Sequence, residues 1–180
     1  MKKIIAIILS TIFLYGCADS TKITPDPSYS MVIIPKTSDI YVSLPENGSY
    51  GDTIYKKSGQ QLAAIIKSAL LKHTIKVEVA ATPEDYDAIL TSAKQNKADY
   101  VFYSSILHWE DRATEWSARP DRVTVKITVI SAISGQPVSS VTISGKSGLA
   151  TFGGDHPQDL LPKPVDHFVD SLFSKIKPAI

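Results

Sequence analysis

Between residues 39 and 109 the hydrophobic period of the chain switches repeatedly between that of a strand and that of a helix. This switching narrows the accessible folds more than any other feature. Asp39 to Leu44 is a short apolar run that reads as a strand. Leu62, Ile65, Ile66, Ala69 and Leu70 then share one helical face within Gln60 to His73. Ile75 to Val79 alternates with lysine and glutamate, as a half-buried strand does. Thr82-Pro83-Glu84-Asp85 reads as an N-cap with proline at the first helical position, and Tyr86, Ile89, Leu90 and Ala93 follow at helical spacing. Tyr100 to Trp109 is apolar or aromatic on both faces, which predicts a central strand. A strand–helix–strand–helix–strand order requires parallel pairing through right-handed crossovers in at least part of the sheet.

The flanks add the rest. Met31 to Ile34 reads as a first strand, and residues 45–59, with Pro45, Gly48, Gly51 and Gly59, as a long loop. Arg122 to Ile133 and Val138 to Ser144, joined by Ser134-Gly135-Gln136-Pro137, predict a β-hairpin. Val165, Phe168, Val169, Leu172, Phe173 and Ile176 predict a last amphipathic helix entered through Pro164. The expected class is α/β (α+β): one mixed sheet with three helices packed on it, in the order β-β-α-β-α-β-β-β-α, over residues 31–180.

The N-terminus reads as a signal peptide. Lys2 and Lys3 precede an apolar run from Ile4 to Leu14. At ~1.5 Å per residue that run is roughly 16 Å long, too short for a hydrocarbon core of about 30 Å. Leu14-Tyr15-Gly16-Cys17 resembles the bacterial lipobox. That resemblance implies removal of residues 1–16 and lipidation of Cys17, with palmitate among the acyl chains. Cleavage after Ala18 as an ordinary signal peptide is the alternative. Ala18, rather than aspartate, after the cysteine implies the outer membrane, facing the periplasm, in preference to the inner membrane. Residues 17–30 are polar, contain Pro25 and Pro27, and read as the lipidated cysteine followed by a flexible tether. Cys17 is also the only cysteine, so stability must come from a packed core without an internal disulfide.

Composition excludes several functions. The chain has 19 basic and 18 acidic residues, with no basic stripe, which argues against nucleic acid as a partner. Gly145-Lys146-Ser147 lacks the preceding glycine of a phosphate loop, since Ser140 stands there, so no nucleotide is expected. His108, Glu110 and Asp111 lack a further histidine or cysteine at ligand spacing, so neither a metal nor another cofactor is expected. Asp155-His156 and Asp166-His167 lack a nucleophile elbow and read as surface pairs. Asn47-Gly48-Ser49 reads as a turn.

One segment stands out. Residues 108–122 connect the central strand to the hairpin and are longer than the usual ~4–6 residues. Trp109, Glu110, Asp111, Arg112, Trp116, Arg119 and Asp121 form the candidate binding surface, because tryptophan and arginine dominate interface hot spots. Core packing by Trp109 and pinning of the loop by Arg112 on Asp111, Glu115 or Asp121 are the structural alternative. The chain also resembles an uncharacterised family of bacterial lipoproteins, domain of unknown function 4823. The resemblance rests on Ser49-Tyr50-Gly51, Tyr55, Ser58-Gly59, Trp109-Glu110-Asp111-Arg112, Trp116-Ser117, Asp121, Ser134-Gly135, Gly153-Gly154 and Asp159-Leu160-Leu161. It implies a cell-envelope lipoprotein and carries no activity. At the level of fold the pattern is similar to periplasmic α/β domains of envelope assembly lipoproteins, such as penicillin-binding-protein activators and curli secretion components. The expected function is a non-enzymatic binding or assembly module, tethered to the membrane by its lipid and engaging an envelope protein or glycan. The alternatives are an envelope hydrolase using residues 108–111, and a purely structural subunit of a lipoprotein assembly. Replacement of Cys17 by alanine is expected to abolish incorporation of labelled palmitate and to release the protein from the membrane fraction.

Overall fold

The computed structural model describes residues 19–30, 32–112, 119–148 and 156–174. The expected lipidation site Cys17 and the candidate Trp116 lie outside the described residues. Among the described residues eight strands form: β1 (Ser20–Pro25), β2 (Ile40–Leu44), β3 (Ser49–Tyr50), β4 (Thr53–Ile54), β5 (Val77–Pro83), β6 (Tyr100–Glu110), β7 (Arg122–Ser131) and β8 (Pro137–Lys146). Three helices accompany them among these residues: α1 (Ser58–Leu70), α2 (Tyr86–Gln95) and α3 (Pro162–Phe173), the last preceded by a 3-10 turn over Pro157–Leu160.

Six strands make one mixed sheet in the order β1-β8-β7-β6-β2-β5. β5, β2 and β6 are parallel, and β6, β7, β8 and β1 are antiparallel. The two crossovers leave β2 and β5 in opposite directions across the sheet. A right-handed crossover therefore puts α1 on one face and α2 on the other. The burial pattern agrees. Ile40 and Val42 of β2 join α1 and α3 in the larger core, whereas Tyr41 joins Ile89 and Ala93 of α2 in the smaller one. The larger core fills the space between α1, α3 and the inward faces of β7 and β8, where Val123, Val125, Ile127, Val129, Val141 and Ile143 are buried. On the opposite face these two strands carry Thr124, Lys126 and Thr128 beside Thr142 and Ser144, as an antiparallel sheet with one wetter face does.

Four expectations change. The run 31–34 supplies no strand among its described residues. Ile34 instead donates its N–H to the carbonyl of Leu172 at 2.7 Å and is buried beneath the end of α3. The first strand lies in the segment expected to be a tether. Ser20 to Pro25 pairs residue for residue with Lys146 to Val141. At this sheet edge only Ile23 turns partly inward, so backbone hydrogen bonds hold the strand without apolar alternation. The loop 45–59 contains the small β3–β4 hairpin. The N-cap of α2 is Asp85, whose carboxylate accepts the N–H of Ala88 at 2.8 Å, because Thr82 and Pro83 continue the edge strand β5.

β6 carries the irregularity that positions the site. Its register against β7 slips between Ile106 and His108, leaving Leu107 as an extra residue. Without that slip, period-two alternation would turn Trp109 away from the larger core. With it, Trp109 sits opposite Val123 and is 1% exposed. The β1 assignment yields a test. A chain starting at residue 19 is expected to keep the full sheet. One starting at residue 27 is expected to melt at lower temperature and to self-associate through the freed edge of β8, as read by thermal scans and light scattering.

Candidate functional site

The sequence-derived surface maps to one end of the sheet, where β6 ends, β7 begins and β8 ends. Three of its members face inward. Trp109 belongs to the core, and Glu110 and Asp121 are 4% and 8% exposed. Asp111 and Arg112 are half-buried, and Arg119 is exposed.

The floor of this rim is Trp109. A Cβ placed on Gly48 would lie 2.5 Å from Trp109 Cβ and 2.7 Å from Ile106 Cγ2, so only glycine lets the 45–49 loop pass so close. Asn47-Gly48-Ser49, expected as a turn, is instead a close backbone approach that leads into β3, and the turn lies at Gly51-Asp52. Ser58 Oγ accepts the N–H of Gly48 at 2.8 Å and donates to the carbonyl of Tyr55 at 2.7 Å, tying the hairpin to the start of α1.

At the end of β6 the charged side chains pair with one another. Arg112 Nε donates to Glu110 Oε1 at 2.6 Å, and its terminal nitrogen pairs with the same carboxylate. His108 Nε2 lies 3.2 Å from the other Glu110 oxygen. Burial works to raise the Glu110 pKa, but hydrogen bonds from His108 and Arg112, with the Arg112 charge, outweigh it and hold the group below its ordinary value. Asp121 accepts the backbone N–H of Arg112. Its own N–H donates to Ser147 Oγ at 2.8 Å, which joins the start of β7 to the end of β8. Burial raises the Asp121 pKa, against the Arg112 N–H, and the nearby Asp111 charge raises it further.

The outer layer is aromatic and cationic. The Arg112 guanidinium lies 5.6 Å from the centroid of the Tyr50 ring, and that ring meets His108 edge-on at 5.3 Å. His156 Nδ1 is 3.2 Å from both oxygens of Asp111, and Tyr55 donates to the carbonyl of Asp111 at 3.3 Å. The hydrogen bond to Asp111 raises the His156 pKa above its ordinary value, against a smaller effect of burial. The signs run oppositely for the two groups. The Glu110 contribution to stability is complete above an ordinary carboxylate pKa and is lost as pH falls through its lowered folded value. The His156 contribution is complete below an ordinary imidazole pKa and is lost as pH rises through its raised one.

Sequence reasoning picked out the 108–122 half of this rim, named Tyr50 and Tyr55 only as carriers of the family resemblance, and missed Ser147 as a member of it. It also set His156 aside as a surface residue. These residues reach the site only through tertiary contacts, and no local spacing signals them. It missed a cleft as well. At the carboxyl ends of β2 and β5 the outgoing chains diverge to opposite faces, the geometry that opens crevices in α/β sheets. A 340 Å³ cleft lies there, lined by residues 44–47 and 83–85 and by residues 103–106 of β6. Gly145 and Lys146 end strand β8 and do not open onto a helix, so they do not form a phosphate-binding turn. Among the described residues no cluster of histidine, cysteine and carboxylate side chains has metal-binding geometry.

A family model described as "Domain of unknown function (DUF4823)" matches residues 33–172. No curated protein matches the chain in sequence. Among solved structures, a PelC dodecamer variant from Paraburkholderia phytofirmans is similar with a TM-score of 0.60 at 16% identity, covering 89% of this chain and 99% of that one. The PelC dodecamer from the same organism in a second crystal form gives 0.57 at 18% identity, covering 88% and 94%. The lipoprotein GNA1162 from Neisseria meningitidis gives 0.47 at 17% identity, covering 75% and 97%. The PelC likeness is one of fold.

The packing predicts an ordered mutational series. Trp109→Ala is expected to cost about 3–5 kcal/mol of stability, as large core truncations do. Gly48→Ala is expected to cost about 1–3 kcal/mol by overpacking the same indole. Chemical denaturation of both variants measures the order, and a neutral Trp109→Ala contradicts it.

Proposed function

The chain belongs to the DUF4823 family, and on that premise we propose that it is a non-enzymatic accessory module of the bacterial envelope. It is anchored by a lipid on Cys17 in the outer membrane, faces the periplasm, and holds an envelope protein or glycan at its rim. The proposed binding surface comprises Asp111, Arg112 and Arg119, extended by His156; Trp116, proposed with them, lies outside the described residues. The buried members of the candidate surface support it from below.

The observation that carries this reading is that each rim carboxylate is committed to a partner. Glu110 is committed to Arg112 and His108, Asp111 to His156, and Asp121 to a backbone N–H. A hydrolytic general base works best with a pKa near the operating pH. Glu110 is held in the opposite direction. Asp121 moves upward, but it is buried and already accepts a hydrogen bond. Such an arrangement fixes side chains in place, which lowers the entropic cost of binding. It leaves Arg119 exposed, a side chain of the kind that concentrates binding energy.

The test is photo-cross-linking in intact cells, with a photoreactive residue replacing Arg119 or, at the opposite end of the sheet, Ile133. Discrete adducts from position 119 that are absent from position 133 are expected. Equal labelling from both positions contradicts a binding rim.

A further inference from the structure

We infer that the anchor-side end of the sheet rests on the bilayer surface, with the β3–β4 hairpin and the Leu107 bulge as a second membrane contact beside the lipid. This rests on the reading of Cys17 as the lipidated residue, and it turns the end of the sheet that carries the rim toward the bilayer, so that the rim's partner is one met at the membrane surface.

The argument starts from chain length. β1 begins at Ser20, three residues after Cys17, and is locked to β8 from that residue onward. Three extended residues reach about 10 Å at most. The headgroup layer on each side of a bilayer is about 5–8 Å thick. A cysteine whose acyl chains lie in the hydrocarbon therefore keeps Ser20 within a few ångströms of the headgroups. The described part of the segment expected as a tether is paired with β8 from Ser20 to Pro25.

Register then says what else lies toward that end of the sheet, with His108 and Leu107 two and three residues before the row that contains Ser20. Ser20 pairs with Lys146, Lys146 with Arg122, and Arg122 with Glu110. At ~4.8 Å per strand this row is about 14 Å wide. At its far side the β3–β4 hairpin leans on β6 through Tyr50 and His108. Tyr50, Ile54 and Leu107 are 44%, 66% and 58% exposed there. Lys146 and Arg122, in the same row, are exposed too. A tyrosine and aliphatic side chains flanked by exposed cations are what the membrane–water interface favours. The comparably exposed Ile75 and Ile133 stand at the opposite end of the strands, where no leash brings a bilayer.

The native chain has one cysteine, so a thiol introduced in the lipidated protein is its only free one. Full-length Ile54→Cys, Leu107→Cys and Ile133→Cys proteins are to be purified with their lipid. Each is labelled with an environment-sensitive fluorophore and reconstituted into vesicles of phosphatidylethanolamine and phosphatidylglycerol. Labels at 54 and 107 are expected to shift to the blue, to be quenched by lipid-borne nitroxide, and to resist aqueous iodide several-fold better than the label at 133. Iodide quenching at 54 and 107 equal to that at 133 overturns the inference. Shielding from iodide without lipid-borne quenching also overturns it, and would mark a protein contact such as a second copy. Mass spectrometry of the N-terminal peptide separates the two readings. An unmodified Cys17 overturns the lipoprotein reading and this inference together, whereas a lipidated Cys17 with water-exposed labels overturns this inference alone.

Discussion

The sheet depends on β6. On one side it pairs with β2 in parallel over Tyr100–Phe102, and on the other with β7 in antiparallel fashion from Tyr100 to Glu110. Both cores draw on it: Phe102 and Trp109 face α1 and α3, while Val101 and Tyr103 face α2. Because β2 ends at Leu44, the outer half of β6 projects beyond the parallel strands. Its side away from β7 is then available to the cleft and to the hairpin. The bulge at Leu107 lies in that projecting half. Backbone pairing of one strand thus sets where the cleft opens, where Trp109 points and where the rim charges meet.

Elements were legible in the sequence in proportion to how much apolar surface they bury. The two faces of β6, the stripe of α1 and the hairpin of β7 and β8 all lie close to where periodicity placed them. β1 has almost no apolar signature, because an edge strand with one partly buried residue is held by its backbone. Ile33-Ile34 imitated a strand, yet Ile34 is buried by docking on α3 with no ladder partner. Thr82-Pro83 imitated a helix start, because proline is equally at home in an edge strand. Each miss falls where one local pattern has two physical solutions and tertiary context selects between them.

The rim shows the same limit on a smaller scale. The composition of 108–122 marked it as unusual, and Arg112 does pin the loop to a neighbouring acid. That acid is Glu110, whereas Asp111, Glu115 and Asp121 were the expected partners of this region. Distinguishing the side chains that support the rim from those that face outward required the β6 bulge, which shifts alternation by one residue. A one-residue slip has no sequence signature when Ile106, Leu107 and His108 all tolerate a strand. The contributions of Tyr50 and His156 come from 62 residues before and 44 residues after Arg112, and chain folding alone brings them there.

The pairing of β1 with β8 also has a mechanical meaning. With the proposed anchor at Cys17, β1 would run from the membrane into the body of the domain, and its hydrogen bonds to β8 would lie across that direction. Any pull that draws the domain away from the bilayer therefore acts along the strand and loads the six paired residues together in shear. Peeling, which would break the bonds in succession, needs a sideways force instead. The edge strand is thus placed as a mechanical fastener, strongest along the direction in which a membrane-bound protein is pulled.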